Sequence, residues 1–104
     1  MAKKIVPSHP GRLLLNEMLE PLGLTQYRLA KAINVPARRI NEIVHGKRAV
    51  TADTSIRLGR FFGQSDNFWL TLQVKYDVAK AQDQLSGSLK EIRTYKDLEN
   101  GNTS

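Results

Sequence analysis

The first regular pattern along the chain is a stripe of apolar residues at helical spacing. Leu14, Met18 and Leu22 recur at every fourth position, and further leucines lie beside them. A repeat of three to four residues is typical of an amphipathic α-helix that buries one face. Because proline suits the first turn of a helix and disfavours later turns, we predict a first helix from Pro10 to Glu20 that ends before the next proline.

Two shorter helices are predicted next, separated by a turn of about three residues. Thr25 suits the N-cap of the second helix, and Asn34 suits its end because asparagine tolerates the left-handed backbone conformation. Pro36 then fits the start of a third helix, which Gly46 ends. The apolar stripes of these two helices are Leu29, Ala30 and Ile33, and Ala37, Ile40, Ile43 and Val44.

A fourth and a fifth helix complete the regular part of the chain. Thr51 is the expected N-cap of the fourth helix, and Gly63 its end. Ser65 is the expected N-cap of the fifth, which continues to about Ala81. The pattern therefore predicts an all-α fold with five short helices.

The helical signal weakens after Leu85. Residues 86–88 (Ser-Gly-Ser) are typical of a loop, and residues 89–98 have the character of either a short strand or a frayed helix. We expect residues 100–104 to be disordered. These features predict one domain over residues 8–84 and a partly disordered C-terminal tail over residues 85–104, with a short strand as one possibility.

Positive charge is concentrated in the middle of the chain. The 104 residues include 16 Lys and Arg and 10 Asp and Glu, for a net charge of +6. Residues 25–63 hold eight basic and two acidic side chains, so this segment carries the whole excess. Such a concentration favours a polyanionic partner, and nucleic acid first. Charge alone leaves open a solvated basic face that has no partner.

The second and third helices have the dimensions of a helix-turn-helix over residues 25–46. A ten-residue helix is about 15 Å long and fits a major groove about 12 Å wide. Arginine can pair with guanine and asparagine with adenine, whereas basic groups after the helix and amides at the start of the second helix suit phosphates. The residues predicted to contact DNA are Gln26, Ala37, Arg38, Arg39, Asn41, Glu42, Lys47 and Arg48.

Glu42 stands out in this set because a carboxylate is costly in an anionic groove. Two roles would explain it: the carboxylate accepts a hydrogen bond from cytosine, or it orients Arg38, its partner four residues earlier.

The fifth helix carries an apolar stripe made of Phe68, Trp69, Leu72 and Tyr76. Such a stripe is more often core than interface. Four short helices cannot cover a helix this apolar, however, so we also treat these four residues as candidates for a dimer or partner interface.

Two segments of the chain resemble known proteins. Residues 25–35 and 40–48 resemble the phage-repressor class of helix-turn-helix. The flanks, His9-Pro10-Gly11 and the run 68–77 (Phe-Trp-Leu-Thr-Leu-Gln…Tyr-Asp), resemble the HigA-type antitoxin family, also labelled virulence-associated protein I. The resemblance covers residues 8 to about 80. Asn34 departs from the pattern, which usually has glycine there.

The resemblance implies a dimeric, sequence-specific DNA-binding antitoxin of a type II toxin–antitoxin module. Such a protein represses its own operon at a palindromic operator on double-stranded DNA. It also neutralises a HigB-like toxin, which is a ribosome-dependent mRNA endonuclease. Two alternatives remain open at this point: a stand-alone helix-turn-helix regulator without a toxin, and an interaction module whose positive face binds an acidic protein.

Several functional classes are disfavoured by composition. The chain has no Cys, which excludes a disulfide framework, a thiol nucleophile and thiolate zinc sites. Neither of its two His has a plausible catalytic or metal-ligating partner in the sequence, so we expect no enzyme, no metal and no cofactor. Apolar runs are too short to cross a membrane and no secretory signal follows the basic start, so we expect no membrane association and a cytoplasmic location.

Overall fold

The computed structural model describes residues 7–100, and every regular element in that range is a helix. The first helix, α1, consists of an α-helical turn over Pro10–Leu13, a π-helical segment over Leu14–Leu19 and a last α-helical turn over Glu20–Leu22. The chain was expected to leave the helix at Glu20. The helix continues through Pro21 instead. The proline is tolerated because the wider π-helical segment ends just before it, at Leu19, and the helix itself ends one residue after it, at Leu22.

The remaining elements are α2 (Gln26–Ile33), α3 (Ala37–Val44), α4 (Ala52–Phe62), α5 (Phe68–Gln84), α6 (Ser86–Leu89) and α7 (Tyr95–Glu99). The first five helices confirm the predicted all-α architecture. Two caps are also as expected: the hydroxyls of Thr25 and Thr51 accept hydrogen bonds from first-turn amides of α2 and α4. Asn34 has the predicted left-handed conformation, with φ of 63°.

The start of α5 differs from the prediction. Asn67, not Ser65, is the N-cap, and the helix runs on to Gln84 rather than ending near Ala81. Residues 65–67 form a turn that packs against α4, where a Cβ on Gly59 would lie 2.5 Å from the Ser65 carbonyl oxygen. This close approach of two backbones is a tertiary feature, so the cap could not be placed from local sequence.

The tail differs from expectation in one part and agrees with one of two alternatives in the other. Residues 86–88 belong to α6 rather than to a loop, and of the strand and the frayed helix considered for residues 89–98, the structure has a helix, α7, over residues 95–98. Thr94 caps α7, since its hydroxyl accepts a hydrogen bond from the Asp97 amide at 3.1 Å and Asp97 Oδ2 accepts one from the Thr94 amide. The disorder expected over residues 100–104 concerns mainly 101–104, which lie outside the described residues.

The core joins α1 to α5 around large apolar side chains that are fully buried. Its main members are Leu14, Leu19, Leu29, Ile40, Ile43, Leu58 and Trp69. Helix α1 crosses α3 so closely that a Cβ on Gly11 would lie 1.8 Å from the carbonyl oxygen of Ile43. The packing therefore fixes the orientation of α3 and decides which of its side chains face outward.

Candidate nucleic-acid interface

The turn between α2 and α3 is held both by its own backbone and by α4. The Val35 amide donates to the Ala30 carbonyl oxygen at 2.9 Å, which closes the end of α2 around Asn34. Arg57 Nη1 donates to the Ile33 carbonyl oxygen at 2.9 Å, and its Nε donates to Asp53 Oδ1 at 2.8 Å. Arg57 thus ties α4 to the end of α2, which fixes the angle of the helix-turn-helix.

Helix α3 presents a polar face to solvent. Ile40, Ile43 and Val44 are buried against the domain, so the opposite side of the helix is free. The predicted contact residues that are exposed on or next to α3 are Ala37, Arg38, Asn41, Lys47 and Arg48. The structure therefore brings most of the predicted set together on one surface, which we call the α3 surface.

Glu42 bridges two arginines on the α3 surface. Arg38 Nε donates to Glu42 Oε2 at 3.0 Å, and Arg48 Nε donates to Glu42 Oε1 at 2.8 Å. The hydrogen bonds from Arg48 and Arg38 keep the pKa of the Glu42 carboxyl below its usual value, so the group is charged at neutral pH. Of the two roles considered for Glu42, the contacts within the chain support the orientation of Arg38 and add Arg48 to it.

Gln26 and Asn41 are neighbours across the helix-turn-helix. Asn41 Nδ2 donates to Gln26 Oε1 at 3.2 Å, which joins the first residue of α2 to the middle of α3. The two amides therefore belong to the same surface. Each keeps further donor and acceptor capacity for a base or a phosphate.

Arg39 points away from its predicted companions. Its Nη1 donates to Asp53 Oδ1 at 3.0 Å, and its side chain is 29% exposed, against 84% for Arg38. Asp53 accepts from Arg57 as well, and the hydrogen bonds from these two arginines, Arg57 foremost, lower the pKa of its carboxyl. Arg39 thus links α3 to α4 in the free chain, which the sequence did not indicate.

The segment after α3 is anchored by α5. Lys47 N donates to the Glu42 carbonyl oxygen at 2.8 Å, and the Val50 amide donates to Gln73 Oε1 at 2.9 Å. Gln73 is buried and in turn donates to Asp77 at 2.9 Å. The sequence did not predict this anchoring role for Gln73, although a glutamine within an apolar helical stripe was a signal for it.

The four interface candidates lie in different environments. Trp69 is fully buried, and its Nε1 donates to Gln64 Oε1 at 2.6 Å, so it belongs to the core and has no area for a partner. Leu72 is partly buried against the core, and Tyr76 packs edge-to-face with His9. Of the four, Phe68 alone is exposed, at 37%.

Besides Phe68, the exposed apolar area of α5 lies on residues that were not predicted as interface. Val74 and Val78 on α5, and Leu85 directly after its last residue, are each about half exposed and follow one another at helical spacing. This set is called the α5 stripe below.

Two other kinds of site, a metal centre and a membrane span, are absent from the described residues. Across residues 7–100, no group of three or more His, Asp and Glu side chains is placed to hold a metal ion. In the same range, no helix is long and apolar enough to cross a membrane.

The fold and the α3 surface are those of a helix-turn-helix protein. The profile of the helix-turn-helix family (HTH_3) matches residues 15–69, which is more than half of the chain. The chain is 49% identical over 74 residues to virulence-associated protein I of Dichelobacter nodosus, a match that covers 71% of this chain and 68% of that protein.

Solved structures agree with this assignment. PA4674 of Pseudomonas aeruginosa, solved in complex with its 18-bp operator DNA, superposes with a TM-score of 0.83 and 37% identity, covering 88% of this chain and 97% of that one. An addiction module antidote protein of the HigA family from Coxiella burnetii gives a TM-score of 0.82 and 37% identity, over 88% and 100% of the two chains. The chain belongs to the helix-turn-helix family and, within it, to the HigA-type antitoxins.

Proposed function

We propose that this protein is a DNA-binding antitoxin that represses its own operon and neutralises a HigB-like mRNA endonuclease. The observation that carries the DNA-binding part is the α3 surface, where basic and amide side chains face solvent on a helix that the core holds in place. The relative PA4674, which was solved with its operator DNA, supports the same mode of action. Because the partner is DNA, we place the protein in the cytoplasm, and we assign it no catalytic role.

In this proposal α3 enters the major groove with its N-terminal turn toward the base edges. Arg38 is the main base-reading candidate because it is the most exposed of the paired arginines. Asn41 is the second, while Gln26, Lys47 and Arg48 suit the phosphates on either side. Ala37 is placed to contact a thymine methyl group. Arg39 stabilises the position of α3 through its hydrogen bond to Asp53 on α4.

The proposal includes a homodimer. A single helix-turn-helix reads about four to six base pairs, and two copies related by a two-fold axis read half-sites about 34 Å apart on a palindrome. We propose that Phe68 and the α5 stripe form the dimer interface, since they are apolar, exposed and lie on or directly after the same helix. Residues 8–84 would then be the DNA-binding domain and residues 85–104 a separate tail.

The DNA-binding proposal is tested with the DNA upstream of the protein's own gene. Fluorescence anisotropy should show binding that weakens steeply with salt. Arg38→Ala should weaken binding to this DNA by about 1–3 kcal/mol per half-site, or roughly 5- to 150-fold. Lys75→Ala, which removes an exposed positive charge on α5 instead, should change the affinity far less.

Loss of binding in both variants alike would show that α3 is not the reader. If wild-type protein has no preference for this DNA, the repressor function itself is wrong, and an acidic protein becomes the better partner for the basic surface.

The dimer is tested by light scattering. Val78→Asp should convert the dimer to a monomer and reduce operator binding, because a buried carboxylate at the interface would be costly. Lys80→Asp, an exposed change nearby on α5, is the control and should remain dimeric. A wild-type monomer at micromolar concentration would contradict this part of the proposal.

The toxin partner is tested separately from DNA. We expect a neighbouring reading frame that encodes a small ribonuclease, whose toxicity on expression this chain should suppress and with which it should co-purify. A specific observation favours the alternative of a stand-alone regulator: the chain is also 32% identical over 79 residues to the Escherichia coli protein YbaQ, which is named an HTH-type transcriptional regulator. Operator binding without any toxin rescue would support that alternative.

A further inference from the structure

Glu42 is an isolated negative charge in a positive region. Between Glu20 and Asp53 it is the sole acidic residue of the sequence. Its side chain is 24% exposed, on the face that the proposed function directs to DNA. A carboxylate at this position opposes binding to a polyanion, so a compensating role is required.

The geometry of the bridge shows what that role is. Both arginines bind Glu42 through Nε, at 3.0 Å for Arg38 and 2.8 Å for Arg48. A guanidinium has five N–H donors, and its Nη1 and Nη2 edge can pair with guanine or phosphate. Bonding through Nε leaves that edge directed away from Glu42. The carboxylate therefore fixes two guanidinium groups relative to each other and leaves their recognition edges available.

We propose that Glu42 is a positioning residue that sets the discrimination of this protein between its operator and other DNA. Bound to any DNA, the α3 surface gains affinity from phosphates, and the Glu42 charge lowers that gain. At the operator, base contacts of Arg38 and a phosphate contact of Arg48, both held in place by Glu42, recover the loss. The inference rests on the proposed operator binding and deepens it.

The arrangement favours positioning over direct reading of cytosine, and the two roles differ in what they predict. Both Glu42 oxygens accept hydrogen bonds from arginines of the same chain, which leaves one lone pair on each oxygen for another donor. If Glu42 positions the arginines, replacing it should change the base preference at every operator position that Arg38 or Arg48 contacts. If Glu42 reads a base directly, the same replacement should change the base preference at one base pair only.

The test compares Glu42→Gln with wild type on two DNA duplexes of equal length, the upstream DNA of the gene and a scrambled sequence. The amide keeps the shape of the side chain, but its NH₂ group cannot accept from an arginine, so one guanidinium is released. We expect tighter binding to scrambled DNA and a loss of about tenfold in the ratio of the two affinities. The plot of log K against log salt for scrambled DNA should steepen by about one unit, as for one added phosphate contact.

The matched control is Glu17→Gln, which removes the same charge from an exposed position on α1. It should shift both affinities by the same small factor and leave their ratio unchanged. Melting temperatures of both variants should lie close to that of wild type, since Glu42 is at the surface.

Three results would overturn the inference. If Glu42→Gln behaves as Glu17→Gln does, Glu42 is only one charge among others. If the loss disappears when one particular C·G pair of the operator is substituted, Glu42 reads a base. If Glu42→Gln binds both duplexes more weakly, the carboxylate does not oppose non-specific binding. A wild type without preference for the operator would instead refute the proposed function, so the two failures are distinguishable.

Discussion

Replacing Gln73 by methionine should destabilise the domain through one buried amide. Gln73 is 4% exposed and Val50 is 2% exposed. The Val50 amide donates its hydrogen bond to Gln73 Oε1. Methionine has nearly the same length and fills the same space, but its sulfur is a weak acceptor. The change therefore leaves the Val50 N–H buried and without a good partner.

The expected cost follows from that unsatisfied donor. A buried amide left without a partner costs about 1–3 kcal/mol. For a domain of this size each kcal/mol lowers the melting temperature by about 4–8 °C. Gln73→Met should therefore melt at least about 4 °C below wild type. It should also weaken DNA binding, because the segment that carries Lys47 and Arg48 is anchored at Val50.

Circular dichroism melting and urea titration measure the effect directly. Gln82→Met on the same helix is the control, because Gln82 is exposed and its replacement should change stability by no more than about 0.5 kcal/mol. Equal melting curves for the two variants would show that the Val50 amide finds another partner and that Gln73 does not anchor the segment.

Three further predictions follow from the backbone and from charge. Gly11→Ala should destabilise the fold by about 3 kcal/mol or more in urea titrations, since the new Cβ would meet the Ile43 carbonyl oxygen. Asn34→Ala should cost about 1 kcal/mol by the same measurement, whereas Asn34→Gly should be neutral or stabilising, because φ is 63° there. The lowered pKa of Asp53 contributes stability above its unfolded pKa, near pH 4, and that contribution is lost as pH falls through the folded pKa. Asp53→Asn should therefore flatten the acid limb of the stability curve.

The helix-turn-helix could be predicted from sequence because its signals are local. The stripe of α3, the cap at Thr25 and the turn at Asn34 each depend on residues within a few positions of one another. The start of α5 could not be predicted, because Ser65 is held in a turn by the close approach of Gly59 from another helix. The loop predicted over residues 86–88 was wrong: glycine and serine favour a loop, but α6 follows α5 with only one residue between them.

The candidate site shows the same division between local and long-range information. Arg38 and Arg39 are adjacent and chemically identical, so both were predicted to contact DNA. A rotation of about 100° along the helix directs one to solvent and the other to Asp53, fourteen residues later in the chain. Which carboxylate pairs with a given arginine depends on the tertiary structure, so it cannot be predicted from the spacing of residues along the sequence.

The same carboxylates change the meaning of the charge count. Of the eight basic residues between positions 25 and 63, five are paired in the structure: two with Glu42, two with Asp53 and Arg60 with Asp66. Net charge therefore overstates what is free to bind phosphate. Arg39 and Arg57 use an Nη1 group within the fold, to Asp53 and to the Ile33 carbonyl oxygen, and Arg60 gives both Nε and Nη2 to Asp66. Glu42 instead holds its two arginines through Nε alone, which leaves their Nη1 and Nη2 groups available. The placement of three carboxylates, more than the excess of positive charge, determines which arginines can reach DNA.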